Sequence, residues 1–183
     1  MKLPNIKILD EKDKILRTVS KEVTFPLSKE VKELIKDSVT YLEMSQIEEY
    51  RAKHDLRAGM GLSFIQLGVA KRILVMSDDL GDNTFENYVL INPVIKSKSE
   101  ELIFVGEGEG CLSIDRPVEG IVPRHARVTV EAYDENGELF TLRFREVMSI
   151  LLQHEIDHLD GILFCDRIDP KDPYKNKDLM REI

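Results

Sequence analysis

Residues 146–161 read EVMSILLQHEIDHLDG and carry the strongest helix pattern and the strongest chemical pattern in the chain. Apolar residues and two histidines recur at positions i, i+3, i+4, i+7 and i+11, which is the spacing of one helix face. Gly161 follows, and glycine readily ends a helix in a left-handed conformation. The pattern predicts a helix from Glu146 to Asp160 whose inner face carries Val147, Ile150, Leu151, His154 and His158.

His154, Glu155 and His158 form an H-E-x-x-H motif within this helix. Residues four apart on a helix have Cβ atoms about 5–6 Å apart, so two imidazoles can converge on one metal ion. Glu155 is rotated by about 100° from His154, which places a carboxylate where a general base is needed. The alternative is a helix that carries two histidines by chance, but two buried imidazoles without partners would be costly. The motif therefore favours a metal site.

A catalytic metal site of this kind needs a third protein ligand. Cys111 follows the glycine-rich residues 106–110, and glycine lets the backbone pass close to an ion. Cys165 lies in an apolar run and is expected to be a core thiol, which is also the alternative explanation for Cys111. The local sequence favours Cys111 among the candidates, which are Cys111, Cys165, His54, His125 and the acidic residues.

The rest of the chain predicts one more long helix and a set of short strands. Ser28 is a suitable N-cap, and the apolar spacing after it predicts a helix to about Tyr50. Asn136 and Gly137 form a strong hairpin signal, and Pro93 is expected to close an earlier strand. The predicted strands are residues 72–76, 88–93, 102–105, 127–133, 139–144 and 162–165.

Together these elements predict an α+β fold, with antiparallel β-sheets around a central helix that carries H-E-x-x-H and an N-terminal flanking helix. The length of 183 residues and the lack of a linker predict a single domain, residues 1–183. The polar tail from Asp169 is expected to lie outside the core.

The composition excludes several classes of protein. Acidic residues outnumber basic ones by 34 to 26, so no basic excess or motif indicates nucleic-acid binding. The chain shows no signal-peptide pattern and no run of about 18 apolar residues, which predicts a cytoplasmic protein without membrane contact. We expect a monomer. Arg116, Arg124 and Arg127 are compatible with an acidic partner such as a ribosomal surface, but solvated surface charge explains them better.

A third segment, residues 59–66, reads GMGLSFIQ. Taken alone it is a weak signal, because it lacks the third glycine and the preceding strand of a dinucleotide-binding fingerprint. We expect a tight turn that opens a short apolar helix.

The three segments together, in this order, resemble the peptide deformylase family. That family carries Gly-x-Gly-Leu-Ala-Ala-x-Gln, then Glu-Gly-Cys-Leu-Ser, then Gln-His-Glu-x-Asp-His; the last two match fully here, at residues 109–113 and 153–158. The long N-terminal helix resembles the longer of the two bacterial classes.

The resemblance implies a role for each matching residue. It implies that Cys111, His154 and His158 bind the metal and that Glu155 is the general base and acid. It further implies that Gln66 and the backbone N–H of Leu112 stabilise the oxyanion. An extended peptide would pair with Met60, Gly61 and Gly110.

The implied reaction is metal-dependent hydrolysis of the N-formyl group from formyl-methionine at the start of newly made polypeptides, releasing formate. The resemblance also implies one divalent ion, Fe²⁺ in the cell, with Zn²⁺ or Ni²⁺ able to replace it. Because Val147, Ile150 and Leu151 precede His154 on the same helix face, we expect them to wall an apolar pocket for the methionine side chain.

The chain departs from the family pattern at Ser63-Phe64-Ile65, where the family has small residues. We expect Phe64 to point into the core, because it lies two residues from Gln66 and has no polar atom to offer.

Two other functions use the same motif. A zincin-type endopeptidase needs a third ligand downstream, but no histidine follows His158 and the only later glutamate is Glu182 in the tail. A binding module with a structural metal would need both cysteines in a closed Cys₂His₂ site and would leave Glu155 idle.

Overall fold

The computed structural model describes residues 2–183 and shows an α+β fold. The helices are α1 (Lys29–Gln46), α2 (Glu48–His54) and α3 (Glu146–Leu159). The strands are β1 (Gly61–Ser63), β2 (Ile73–Asp79), β3 (Phe85–Lys98), β4 (Leu102–Phe104), β5 (Arg124–His125), β6 (Arg127–Tyr133), β7 (Leu139–Arg145) and β8 (Arg181–Glu182). Within residues 2–183, no helix combines the length and the apolar character that crossing a membrane requires.

Two sheets enclose α3. The larger sheet is antiparallel with the order β1-β2-β3-β6-β7, and the smaller has the order β5-β4-β8. Leu152 and Leu159 of α3 pack into a cluster with Leu74 and Val130 of the larger sheet. On the smaller sheet, α3 contributes Ile150 to a cluster with Ile103 and Ala126. The predicted architecture, antiparallel β-sheets around a central helix, is confirmed, although the smaller sheet also contains one parallel pair, β4 with β8.

The N-terminal flanking helix begins as predicted and ends earlier. The Ser28 side chain accepts a hydrogen bond from the backbone of Val31, as an N-cap does. The helix stops at Gln46 and not near Tyr50, because Ile47 has extended backbone angles and α2 starts anew after it. The Gln46 side chain donates to the backbone carbonyl of Ser77 in β2, which fixes this end of α1 on the sheet.

Pro93 does not close β3, which continues to Lys98. The register with β6 shifts between Ile91 and Val94, and Asn92 has a positive φ of 51°. A proline is tolerated at such a bulge because the missing N–H is not needed by the ladder. The Asn92 side chain exchanges two hydrogen bonds with the backbone of Val23, which holds the bulge in place.

Three further segments differ from the prediction or refine it. Residues 162–165 do not form a strand; Leu163 and Phe164 are buried, but a 3₁₀ helix runs from Phe164 to Arg167. The tail also joins the core, because β8 pairs in parallel with β4 and Ile183 packs beside Ile103. The glycine segment forms β1 before its short 3₁₀ helix, Phe64–Leu67.

The confirmed hairpin leads directly into the central helix. β6 and β7 pair from Arg127↔Arg145 to Tyr133↔Leu139 around the predicted turn. β7 ends at Arg145 and α3 begins at Glu146, so no linker separates them. The position of α3 is therefore set by the strand before it.

Candidate metal centre

Cys111, His154 and His158 form a cluster in which one potential ligand atom from each lies within 4.8 Å of the others. All three side chains are buried, and Cys111 Sγ lies 3.2 Å from His158 Nε2. Among residues 2–183, neither Cys165, His54 nor His125 joins a cluster of three such groups. The structure thus brings together the cysteine that the local sequence favoured and the two histidines of the motif.

The chemistry of this donor set fits a divalent transition metal. One sulfur and two nitrogens are the number of protein ligands found in catalytic sites that keep a position open. His158 Nδ1 is buried and has no hydrogen-bond partner within the described chain, while its Nε2 faces the sulfur. Nε2 is therefore the nitrogen of this ring that would bind an ion together with the Cys111 sulfur.

Glu109 orients the first histidine. Its Oε2 lies 2.8 Å from His154 Nδ1, which leaves His154 Nε2 for the cluster. Burial would raise the pKa of Glu109, but hydrogen bonds from His154 and Arg124 outweigh it and hold that pKa at about 2. Burial lowers the pKa of His158 well below its usual value. Burial would also lower the pKa of His154, but hydrogen bonds to Cys111 and Glu109 outweigh it and raise that pKa to about 10. Binding of a metal ion would require both rings in the neutral form.

The sequence suggested that Arg124 is solvated surface charge, and this is wrong. Arg124 is a buried ion-pair partner with 2% exposure. Its guanidinium donates to Glu109 Oε1 at 2.7 Å and to Asp157 Oδ2 at 2.6 Å. Asp157 lies on α3 beside His158, and Arg167 donates to it as well. The sequence places Glu109 and Asp157 next to the ligands, but it carries no signal that Arg124 would bridge them.

Arg116 and Arg127 match the interpretation as surface charge. Arg116 pairs with Glu11 and Arg127 pairs with Glu101, and each arginine side chain is about half exposed, at 52% and 55%.

Arg57 fixes the turn that carries Cys111, and sequence reasoning missed it. Its guanidinium donates to the backbone carbonyls of Cys111 at 2.9 Å, Leu112 at 3.2 Å and Ile114 at 2.8 Å. The backbone N–H of Ser113 points at Cys111 Sγ from 3.4 Å. The sulfur is therefore held by a turn whose backbone carbonyls already accept hydrogen bonds from Arg57.

Glu155 lies beside the cluster with a buried carboxyl group, 2% exposed. Burial raises the pKa of Glu155 above its usual value. Its Oε2 lies 2.8 Å from Ser63 Oγ, and a Cβ at Gly61 would lie only 2.5 Å from its Oε1. Only glycine leaves room for the carboxyl at that point of β1.

Gln66 is buried next to the turn that carries Cys111. Its Oε1 accepts a hydrogen bond of 2.8 Å from the backbone of Ser63, and its Nε2 donates to Ser113 Oγ at 3.1 Å. The same Nε2 lies 3.7 Å from Cys111 Sγ. Phe64, two residues earlier, is fully buried among the core residues under α1, as expected.

A pocket of 280 Å³ opens onto Cys111, His154 and Glu155. All six residues expected to contact substrate line it: Met60, Gly61, Gly110, Val147, Ile150 and Leu151. Gln66 and Leu112 line it too. The helix pattern suggested that Val147 is buried, but its side chain is 50% exposed at the outer end of the α3 face.

The fold is α+β, and it buries a Cys-His-His cluster. The H-E-x-x-H helix also places a carboxylate beside a pocket. These features define the class of metal-dependent hydrolases. Residues 6–174 match the family model for polypeptide deformylase. The chain belongs to the peptide deformylase family and is a hydrolase that acts on N-formyl amides.

Relatives and solved structures agree with this assignment. The chain is 47% identical over 152 residues to the peptide deformylase of Oceanobacillus iheyensis, covering 83% of each protein. It is 46% identical over 171 residues to that of Limosilactobacillus fermentum, covering 91% of this chain and 90% of the relative. A plant peptide deformylase structure superposes with a TM-score of 0.75 at 29% identity, covering 95% of this chain and 86% of the plant chain. The structure of the peptide deformylase from Thermotoga maritima superposes with a TM-score of 0.70 at 29% sequence identity, covering 90% of this chain and 98% of the other.

Proposed function

We propose that residues 1–183 form one catalytic domain that removes the formyl group from the N-terminal methionine of newly made polypeptides and releases formate. The observation that carries this proposal is one pocket lined by Cys111, His154, Glu155 and Gln66, with His158 in the same cluster as Cys111 and His154. Since such substrates come from translation, we place the activity in the cytoplasm and expect a monomer to suffice, because every proposed site residue belongs to one chain.

The proposed metal ligands are Cys111, His154 and His158, binding one divalent ion. We propose Fe²⁺ as the ion in the cell, with Zn²⁺ or Ni²⁺ able to replace it. Support comes from the ligand set, because a thiolate with two imidazoles suits several of these metals and affinity order alone does not select one. When bound, the ion polarises a carbonyl oxygen and lowers the pKa of water. Metal analysis of protein purified without air tests the choice of Fe²⁺.

Glu155 is proposed to take a proton from the attacking water and to pass it to the amine nitrogen that leaves. One carboxyl group then serves as base and as acid, so the proton is conserved between the two steps. The position of Glu155 supports this role, since its carboxyl lines the pocket beside His154.

Gln66 and the backbone N–H of Leu112 are proposed to stabilise the oxygen on which negative charge develops. Donors already held in place by other bonds need little rearrangement when that charge appears. Gln66 is held by Ser63 and Ser113, and the turn of Leu112 is held by Arg57.

The remaining pocket residues are proposed to bind the substrate. The backbone around Met60, Gly61 and Gly110 would pair with an extended peptide, and Val147, Ile150 and Leu151 would surround the methionine side chain. Their position along one wall of the pocket supports this division.

The structure favours this proposal over the two alternatives. An endopeptidase of the zincin type takes its third ligand from a later segment, whereas the third residue of this cluster is Cys111, upstream of α3. A closed Cys₂His₂ site would include Cys165, which lies outside the cluster.

The test measures formate release from formyl-Met peptides and cleavage of an internal peptide bond in the same preparations. We expect formate release alone. Glu155→Ala should keep metal and fold but lose about 10²–10⁴-fold in turnover, the usual effect of removing a general base. Activity of this variant close to wild type would contradict the role of Glu155, and internal cleavage would favour the endopeptidase.

A further inference from the structure

Ser63 contacts both side chains to which the proposed mechanism assigns chemistry. It is the last residue of β1 and is fully buried. Its Oγ lies 2.8 Å from Glu155 Oε2 and 2.8 Å from the backbone oxygen of Glu155. Its backbone N–H donates to Gln66 Oε1 at 2.8 Å.

The two short contacts of the hydroxyl group define what it can do. A serine hydroxyl has one hydrogen to donate and two lone pairs to accept with, whereas a backbone carbonyl can only accept. The Ser63 hydroxyl is within donating distance of both Glu155 Oε2 and the Glu155 backbone carbonyl. The side chain of Ser63 therefore ties the carboxyl group to the backbone of its own helix.

On its other side, the Glu155 carboxyl group is in close steric contact with Gly61. Gly61 leaves space for Glu155 Oε1 where any Cβ would collide with it, at 2.5 Å. The Glu155 side chain thus lies in a slot between Gly61 and Ser63 of the same short strand. Of these two neighbours, only Ser63 bonds to the carboxyl through its side chain.

We propose that Ser63 is a positioning residue that holds the Glu155 carboxyl in one orientation, between β1 and the backbone of α3. The inference rests on the proposed role of Glu155 as base and acid. Ser63 itself does not touch the reacting atoms; it acts by keeping Oε2 in one place.

Ser63→Ala tests the proposal because it removes Oγ and keeps the backbone N–H that orients Gln66. We expect kcat to fall about tenfold, as for a lost hydrogen bond to a charged group. KM should stay within about twofold, since substrate contacts remain. Metal content should stay near wild type and the melting temperature should fall modestly, because one buried hydrogen bond is lost. Ser63→Thr, where it folds, should recover most of kcat. The matched control is Ser20→Ala, a buried serine whose Oγ has no partner within residues 2–183 and which should change none of these values.

A second background separates this proposal from the role of Glu155. Glu155→Asp withdraws the carboxyl from reach of Oγ, so adding Ser63→Ala should lower kcat by less than about twofold further. A crystal structure of the metal-free Ser63→Ala protein should show the Glu155 carboxyl displaced or in two rotamers. A wild-type kcat for Ser63→Ala, or the same fall in kcat in both backgrounds, would overturn the positioning role. Full activity of Glu155→Ala would instead overturn the proposed mechanism.

Discussion

Three buried polar side chains of the candidate metal centre take their orientation from identifiable neighbours. Glu109 orients His154, Ser63 holds Glu155, and Ser113 accepts from Gln66. Buried polar groups without partners are costly, so these pairings are what allow the centre to lie inside the molecule. Single substitutions here should therefore have separable effects on metal binding, turnover and stability.

The two cysteines provide the first prediction at this scale. Cys111→Ala should lose bound metal, because it removes one of three ligands, whereas Cys165→Ala should keep it. Metal content per chain, measured after identical purification, distinguishes them. Retention by Cys111→Ala with loss from Cys165→Ala would show that the proposed ligand set is wrong.

Gln66 and Phe64 provide the second prediction at this scale, because substitutions at these two nearby residues should affect turnover and stability in opposite ways. Gln66→Leu should keep metal and melting temperature but lose about 10²–10³ in kcat, as for a lost oxyanion donor. Phe64→Ala should leave kcat/KM of the folded fraction nearly unchanged and cost about 3–5 kcal/mol of stability, since its ring is fully buried.

Kinetics and thermal unfolding of both variants provide the measurement. If Phe64→Ala changed substrate preference without loss of stability, its ring would be part of the pocket and the structural role would be excluded.

At the scale of elements, one face of α3 supplies ligands and pocket wall together. Ile150 and Leu151 lie one turn before His154 and line the same pocket. An apolar wall distinguishes side chains by size only weakly, about 1–3 kcal/mol per methylene, so selectivity should be graded. We expect kcat/KM to fall from formyl-Met through formyl-norleucine to formyl-Asp peptides, and equal values would exclude an apolar pocket.

The second prediction for elements concerns the bridge that Arg124 makes between β5, α3 and the loop of Glu109. Replacing this buried cation by leucine breaks two buried ion pairs and leaves Glu109 with His154 and Asp157 with Arg167. Breaking a buried pair costs about 3–5 kcal/mol. Denaturant unfolding of Arg124→Leu should show this loss. The control is Arg116→Leu, whose pair with Glu11 is half exposed and contributes at most about 1 kcal/mol. Equal effects of the two variants would contradict the bridge.

For the whole molecule, the bound ion should act as a cross-link between the Cys111 turn and α3. A ligand that binds only the folded state stabilises it by about 4 kcal/mol at a thousand times its dissociation constant. Chelation should therefore lower the melting temperature of the wild type and leave that of Cys111→Ala unchanged. An equal shift in both proteins would show that the stabilising ion lies elsewhere.

The parts of the fold that the sequence predicted are those in which local pattern and tertiary environment agree. The helix periodicity of α3, the Ser28 cap and the Asn136-Gly137 turn are local signals, and all three appear in the structure. The metal cluster was predictable because H-E-x-x-H fixes two ligands on one helix face and glycine flanks the cysteine.

The missed features depend on partners far away in the chain. Pro93 remains inside β3 because Asn92 bonds to Val23, and the polar tail adds a strand because β4 has a free edge. Arg124 lies 33 positions from Asp157, so no residue near it in the sequence indicates that its side chain is buried. The same holds for Arg57 and the carbonyls that it holds together.

The direct junction of β7 with α3 limits where this chain can change its length. One residue added between them would turn the helix by about 100° and shift it by about 1.5 Å, so both imidazoles would leave the cluster. The exposed turn at residues 81–83 and the partly exposed turn at residues 134–138 each join two paired antiparallel strands, so a longer turn leaves the strand pairing unchanged. Insertions and fusions of foreign peptides should therefore be accepted at those two turns and rejected between Phe144 and Val147, whatever residues are inserted.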